Sequence, residues 1–193
     1  MHARCRGFTL IELMVVIVVI GLLAALALER YQGIQRDARI AVLKATRSAV
    51  QAAVVLTYGT VLARGGVVDS AVCAGGGVAT NHAGAAGTVC TPNGLVAITF
   101  AYPASATPLA ASVPGIFGMV GLSPAFSPTL AQLNEAGYGA EVADGVTTLS
   151  VIGGAGTRGV AGARANPGCS FTYAAPLQAN TAPTIGTLIT SGC

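Results

Sequence analysis

The sequence predicts an α+β fold: a long N-terminal α-helix, its first half protruding and membrane-spanning, whose second half packs on a small antiparallel β-sheet head. Three observations carry this expectation. Residues 8–28 form an apolar run broken by one charge, Glu12. Helix-compatible residues continue from there to Arg64, and no proline occurs before Pro92. Beyond Arg64 the chain turns to glycine, serine, threonine and proline, interleaved with short β-branched runs.

Composition agrees with a chain that is only partly a soluble domain. Hydrophobic residues make up 53% and charged residues 9%, whereas soluble globular chains carry about a quarter charged residues. Charge is also segregated. Eight of the ten basic residues lie between Arg4 and Arg64. After Arg64 only Arg158 and Arg164 stand against Asp69, Glu135, Glu141 and Asp144, so the distal part is slightly acidic. It holds no basic stripe with interleaved aromatics, which leaves nucleic-acid binding without a footprint.

Taken in order, residues 8–28 come first. At about 1.5 Å rise per residue they span roughly 31 Å as a helix, enough for a hydrocarbon core of about 30 Å. A secretory signal peptide is one alternative, with Arg4 and Arg6 as its basic region and Ala24, Ala25 and Ala27 as small residues for cleavage. An uncleaved anchor is another. Glu12 counts against both, because a carboxylate inside hydrocarbon costs several kcal/mol unless paired. The continuing helical pattern also counts against a cleaved signal.

Residues 29–64 read as the amphipathic second half of the helix. Ile34, Ala38, Ala41, Ala45, Ala49, Ala52 and Leu56 recur at spacings of three and four and predict the buried face. Arg36, Lys44, Arg47 and Gln51 predict a polar one. Residues 65–193 form the head. Gly65-Gly66 and Gly75-Gly76-Gly77 mark loops, and residues 95–102 read as a strand ended by Pro103. Residues 128–136 read as a short helix with Ser127 as N-cap and Gly137 after its end. Residues 146–152, 170–174 and 184–190 read as further strands, together forming one antiparallel sheet on the helix.

The N-terminal residues carry a specific resemblance. Gly7-Phe8-Thr9-Leu10-Ile11-Glu12-Leu13-Met14-Val15-Val16 resembles the prepilin peptidase motif of type IV pilins and type II secretion pseudopilins. The resemblance implies a leader of residues 1–7, cut between Gly7 and Phe8 by a prepilin peptidase/N-methyltransferase that then methylates the Phe8 amine. It implies that Glu12 accepts the Phe8 amine of a neighbouring subunit, since pairing two charges in an apolar surround is strongly favoured over isolating either. Implied partners are identical or related pilin subunits and, before assembly, inner-membrane lipid. The implied location is the inner membrane as prepilin, then an extracellular type IV pilus supporting surface attachment, or the periplasm for a pseudopilin. A membrane-tethered binding protein is the third reading. One departure stands out: Glu29 occupies a position where many pilins have proline. Arg36-Asp37-Ala38-Arg39, residues 49–62 and the patches at 169–173, 183–185 and 190–193 further resemble mannose-sensitive haemagglutinin pilins.

Cysteine usage fits an oxidising compartment. With Cys5 lost in the leader, Cys73, Cys90, Cys169 and Cys193 remain and allow three pairings. Nearest-neighbour pairing, Cys73–Cys90 and Cys169–Cys193, is preferred; each would close a loop of about 20 residues, worth roughly 3 kcal/mol in the chain-entropy model. Pilins often carry such a C-terminal disulfide loop. A zinc site of four thiolates is disfavoured because no two cysteines are separated by two residues.

Catalytic and cofactor chemistry is thin. Gly154-Ala-Gly156-Thr-Arg-Gly159 matches a dinucleotide-binding pattern, but Pro167 and Gly168 cut short any helix and no acidic residue follows Asp144. The same lack of carboxylates disfavours a calcium loop like that of the major type II pseudopilin. His82, the one histidine beyond the leader, lies in an Asn/Gly-rich loop. The expectation is a non-enzyme without metal or cofactor.

Overall fold

A computed structural model describes residues 8–105, 108–153 and 166–193, the side chain of Glu29 apart. The fold is α+β. Helix α1 spans Leu10–Arg64, and the chain divides into two compact units, Met1–Ala38 and Arg39–Cys193. In the first unit every described side chain from Phe8 to Ala38 is exposed. The backbone stays helical at position 29, where a proline would remove an N–H from the ladder and crowd the preceding turn.

In the second unit the rest of α1 packs on two antiparallel sheets rather than the expected one. The first is β1 (Gly87–Thr91), β2 (Gly94–Thr99) and β3 (Tyr102–Pro103), in that order. The second runs β4 (Tyr138–Ala143), β5 (Val146–Val151), β6 (Ser170–Ala174) and β7 (Thr184–Ile185). Short helices α2 (Ile116–Val120) and α3 (Leu130–Glu135) lie between the sheets in sequence. Strands β1 and β4 and helix α2 had no sequence expectation; β1 and β4 are glycine- and alanine-bearing segments without a long β-branched run.

The stripe of α1 that faces the core differs from the alanine stripe expected. Leu43, Thr46, Val50, Ala53, Val54, Thr57 and Val61 are buried, whereas Ala41, Ala45, Ala52 and Leu56 are exposed. Both stripes obey helical spacing. The larger branched side chains remove more apolar area from water, and area decides which face turns inward. The two threonines fit this stripe because their hydroxyls are satisfied locally: Thr46 donates to the Val42 carbonyl at 2.9 Å and Thr57 to the Ala53 carbonyl at 2.7 Å. Leu43, Val50, Ala53 and Val54 join Leu149, Phe171 and Tyr173 of the second sheet in one core cluster. Val61 joins Val89, Val96 and Ile98 of the first sheet in another.

Three boundaries are corrected. Residues 95–102 are not one strand: the chain reverses at Phe100 and Ala101, with φ of 48° and 70°, so that Thr99 pairs with Tyr102. Pro103 lies within β3 instead of ending the run. The cap of α3 is Thr129, not Ser127; its side chain accepts from the Gln132 N–H while Gln132 Oε1 accepts from the Thr129 N–H at 2.9 Å, a capping box. Ser127 instead donates to the Ala111 carbonyl at 2.6 Å. Last, only Thr184 and Ile185 of residues 184–190 form a strand, followed by an isolated bridge from Ser170 to Ile189.

The sheets are tied to each other by hydrogen bonds as well as by the helix. Tyr173 of β6, fully buried, donates its hydroxyl to the Pro103 carbonyl of β3 at 2.6 Å. Burial, aided by the neighbouring Tyr102, holds its phenol pKa well above the ordinary value.

The position of the buried stripe is directly measurable. Leu43→Ala should destabilise the head by about 2–5 kcal/mol through lost burial and a cavity. Ala45→Ser, on the exposed stripe, should stay within about 0.5 kcal/mol. Denaturant unfolding of the detergent-solubilised chain compares the two, and equal costs would show the stripe misplaced.

Candidate functional site

The head of α1 is built around one threonine and one glutamate. Thr9 precedes the first helical residue, and its carbonyl accepts the Leu13 N–H at 3.3 Å, the opening bond of the helix. Its side-chain oxygen accepts the Glu12 N–H at 3.3 Å, which makes Thr9 the N-cap. The same hydroxyl donates to Glu12 Oε2, also at 3.3 Å. Glu12 therefore stands at the third helical position, where the unsatisfied N–H groups of the first turn favour a negative charge. Thr9 has a role the sequence reading missed, although the signal was present: Thr-x-x-Glu before an apolar run is a capping pattern.

Around this polar pair the surface is apolar. Phe8, Leu10, Ile11, Leu13 and Met14 are 55–84% exposed, so the described residues leave the carboxylate in an uncovered hydrophobic belt. The helix is long and apolar enough to cross a membrane. Phe8 lies four residues, one helical turn, before Glu12. Gly7 and the rest of residues 1–7 lie outside the described residues.

The head contributes two disulfides. Cys73 bonds Cys90, with Cα atoms 5.6 Å apart, and Cys169 bonds Cys193, with Cα atoms 4.8 Å apart. Each is fastened to α1 by arginine. Arg64 donates to Asp69 Oδ2 at 3.1 Å, to Asn81 Oδ1 at 3.2 Å and to the Cys90 carbonyl at 3.2 Å. Asn81, fully buried with φ of 49°, completes this knot by donating to the Val67 carbonyl and Asp69 Oδ1, both at 2.7 Å. At the other disulfide, Arg39 Nε donates to the Cys193 carbonyl and Arg47 Nε to the Gly186 carbonyl at 3.2 Å. Arg47 was expected on the polar face of the helix; it is half-buried because its guanidinium serves the 186–193 segment. A residue-by-residue reading offers no cue for such a contact, since the partners are separated by 139 and 154 positions.

Other candidates resolve without chemistry. Ligand atoms of Asp69, Cys73 and Cys90 lie within 4.8 Å of one another. Both sulfurs are in the disulfide and the carboxylate is engaged by Arg64 and Asn81. His82 Nδ1 accepts the Gly84 N–H at 3.2 Å and shapes its own exposed loop. The glycine pattern at 154–159 lies outside the described residues.

Comparison with known proteins bears on the N-terminal part. Residues 2–28 match the family described as the prokaryotic N-terminal methylation motif. The chain is also similar to the type IV narrow pilus major component PilA5 of Thermus thermophilus, 45% identical over 62 residues. That match covers 32% of this chain and 52% of the relative, so the chain spans about half the length of the curated relative it matches. No solved structure matches. The chain thus carries the methylation motif of prokaryotic prepilins at the segment that Thr9 and Glu12 organise.

The cap can be tested apart from any function. Thr9→Val should cost about 1 kcal/mol at the helix start and speed amide exchange of Glu12 roughly fivefold. Thr9→Ser, which keeps the hydroxyl, should restore the parent rate; hydrogen exchange read by NMR in micelles decides.

Proposed function

We propose that this chain is a structural subunit that polymerises through its N-terminal helix into a type IV pilus. The observation that carries the proposal is Glu12: a carboxylate at the head of an exposed, membrane-length apolar helix, one turn from Phe8. Cleavage between Gly7 and Phe8 by a prepilin peptidase creates a positive amine at Phe8, which the same class of enzyme N-methylates. The subunit waits in the inner membrane with its apolar helix in lipid. There a lone carboxylate is costly, and the Thr9 hydroxyl offsets only part of that cost. A neighbour's Phe8 amine completes the pairing, so the ion pair forms at assembly and sets the axial offset between subunits. The exposed side chains of residues 8–28 then pass from lipid to neighbouring helices.

The head is carried outside the cytoplasm, a reading supported by its two disulfides, which persist in oxidising compartments. Surface attachment is the role proposed for the filament. A pseudopilin of a secretion machine would share the processing and the helix, and filament length separates the two. No catalytic role is proposed.

Two measurements test this reading. Glu12→Ala should leave the protein inserted in the membrane while filament yield on the cell surface, counted by electron microscopy, drops at least tenfold. Normal yield would remove the ion pair from the mechanism. Intact-mass analysis of purified filaments should give a chain beginning at N-methyl-Phe8, and an unprocessed Met1 would reject the processing step.

A further inference from the structure

On the head, a groove of about 390 Å³ opens between α1, the β2–β3 turn and the loop around Asn180. Its size falls within the range of about 300–1,000 Å³ usual for small-ligand sites. Tyr58, Phe100, Tyr102, Asn180 and Thr181 supply its functional side chains, and among the described residues no charged one lines it. Tyr58 and Tyr102 are stacked with ring centroids 4.8 Å apart and planes within 9°, which fixes both rings before any ligand arrives.

Two further features mark this groove. Six non-glycine residues among those described have positive φ, and three of them, Phe100, Ala101 and Asn180, line it. Asparagine tolerates that region, but a bulky Phe at φ 48° is an outlier that the fold holds in place through the Phe100 N–H to the Gly84 carbonyl at 2.7 Å. A two-residue turn of this kind favours Asn-Gly; Phe-Ala keeps an aromatic ring at the groove instead. Apart from the Thr181 hydroxyl, which donates to the Gln178 carbonyl at 2.6 Å, the side-chain polar groups are also unclaimed. Among the described residues, the Tyr58 and Tyr102 hydroxyls and the Asn180 amide have no protein hydrogen-bond partner, in contrast to the buried Tyr173 hydroxyl.

We infer that this groove binds a neutral saccharide, one pyranose ring resting on the aromatic wall while its hydroxyls meet the two phenols and the Asn180 amide. The chemistry selects that class. A site without charge disfavours anions and cations, since neither would find compensation there. Aromatic faces beside uncommitted donors and acceptors match a ligand with an apolar C–H face and a rim of hydroxyls. The inference deepens the attachment role proposed for the filament, yet it concerns the head and is measured on the unassembled chain.

The experiment uses the full chain in a zwitterionic detergent that contains no sugar. Saturation-transfer NMR is run with maltose, cellobiose, lactose and N,N′-diacetylchitobiose at millimolar concentration, and with digalacturonate as the charged control. At least one neutral disaccharide should receive saturation and the charged one should not. Tyr58→Phe, which keeps the ring and removes the hydroxyl, should weaken binding at least fivefold. Phe100→Asn should weaken it at least tenfold while the thermal midpoint holds or rises, because the new residue suits the left-handed turn. No transfer to any neutral disaccharide, preferential transfer to the charged one, or unchanged binding in both variants would overturn the inference. Filament yield reports separately on the pilus reading: a chain that binds sugar but never assembles rejects that reading alone, and filaments without binding reject the groove.

Discussion

One stripe of α1 organises the head. Leu43, Val50 and Val54 enter the core of the four-stranded sheet, and Val61, two turns beyond Val54, enters the core of the three-stranded sheet. Neither sheet is large enough to bury a face by itself, and small sheets need a partner surface to be stable. A single rigid helix supplies that surface to both at once. The consequence is that the helix and the head are one cooperative structure from Arg39 onward, which is the second of the two units. Cross-links then follow the helix: Arg39, Arg47 and Arg64 each reach from α1 to a segment held by a disulfide or next to one.

How much of this was legible follows from the range of each interaction. The apolar run, the length of α1 and strands β5 and β6 are local patterns, and sequence periodicity reports them well. The buried face of α1 was not legible, because alanine and valine stripes have the same period and only the facing sheets decide between them. The β2–β3 reversal was hidden by its own chemistry. Phe100 and Ala101 carry no turn signal, and their left-handed backbone is imposed by pairing on either side and by the bond to Gly84. At the N-terminus the reverse held: the Thr9 cap is a local pattern, a threonine three residues before Glu12 at the start of an apolar run. The arginine contacts to the 186–193 segment were beyond reach, since they join residues whose proximity exists only in the folded head.

The two units obey opposite rules. From Arg39 on, apolar side chains are largely covered by the chain itself and most buried polar groups find partners nearby. From Phe8 to Ala38 nothing in the described chain covers the apolar surface. A soluble protein rarely leaves so large a contiguous apolar surface exposed without a binding role. In the proposed pathway that cover comes first from lipid and then from other helices, and a helix of membrane length is suited to both.

What separates lipid from helices as the final cover is the charge that lipid cannot satisfy. Leucine and valine side chains are nearly as content among acyl chains as among one another, so apolar contact alone gives little reason to leave the membrane. Glu12 breaks that indifference. Its carboxylate gains from the helix terminus and from Thr9, but both are weak donors to a full negative charge. A cation at the right depth gains far more, and in the proposed pathway the only one created there is the Phe8 amine released by removal of the leader. Processing and assembly are then linked by one group: the cut that removes the leader also makes the charge that the neighbouring carboxylate lacks. Under this reading an uncut subunit would be well anchored but would have no terminal amine to bring to the filament.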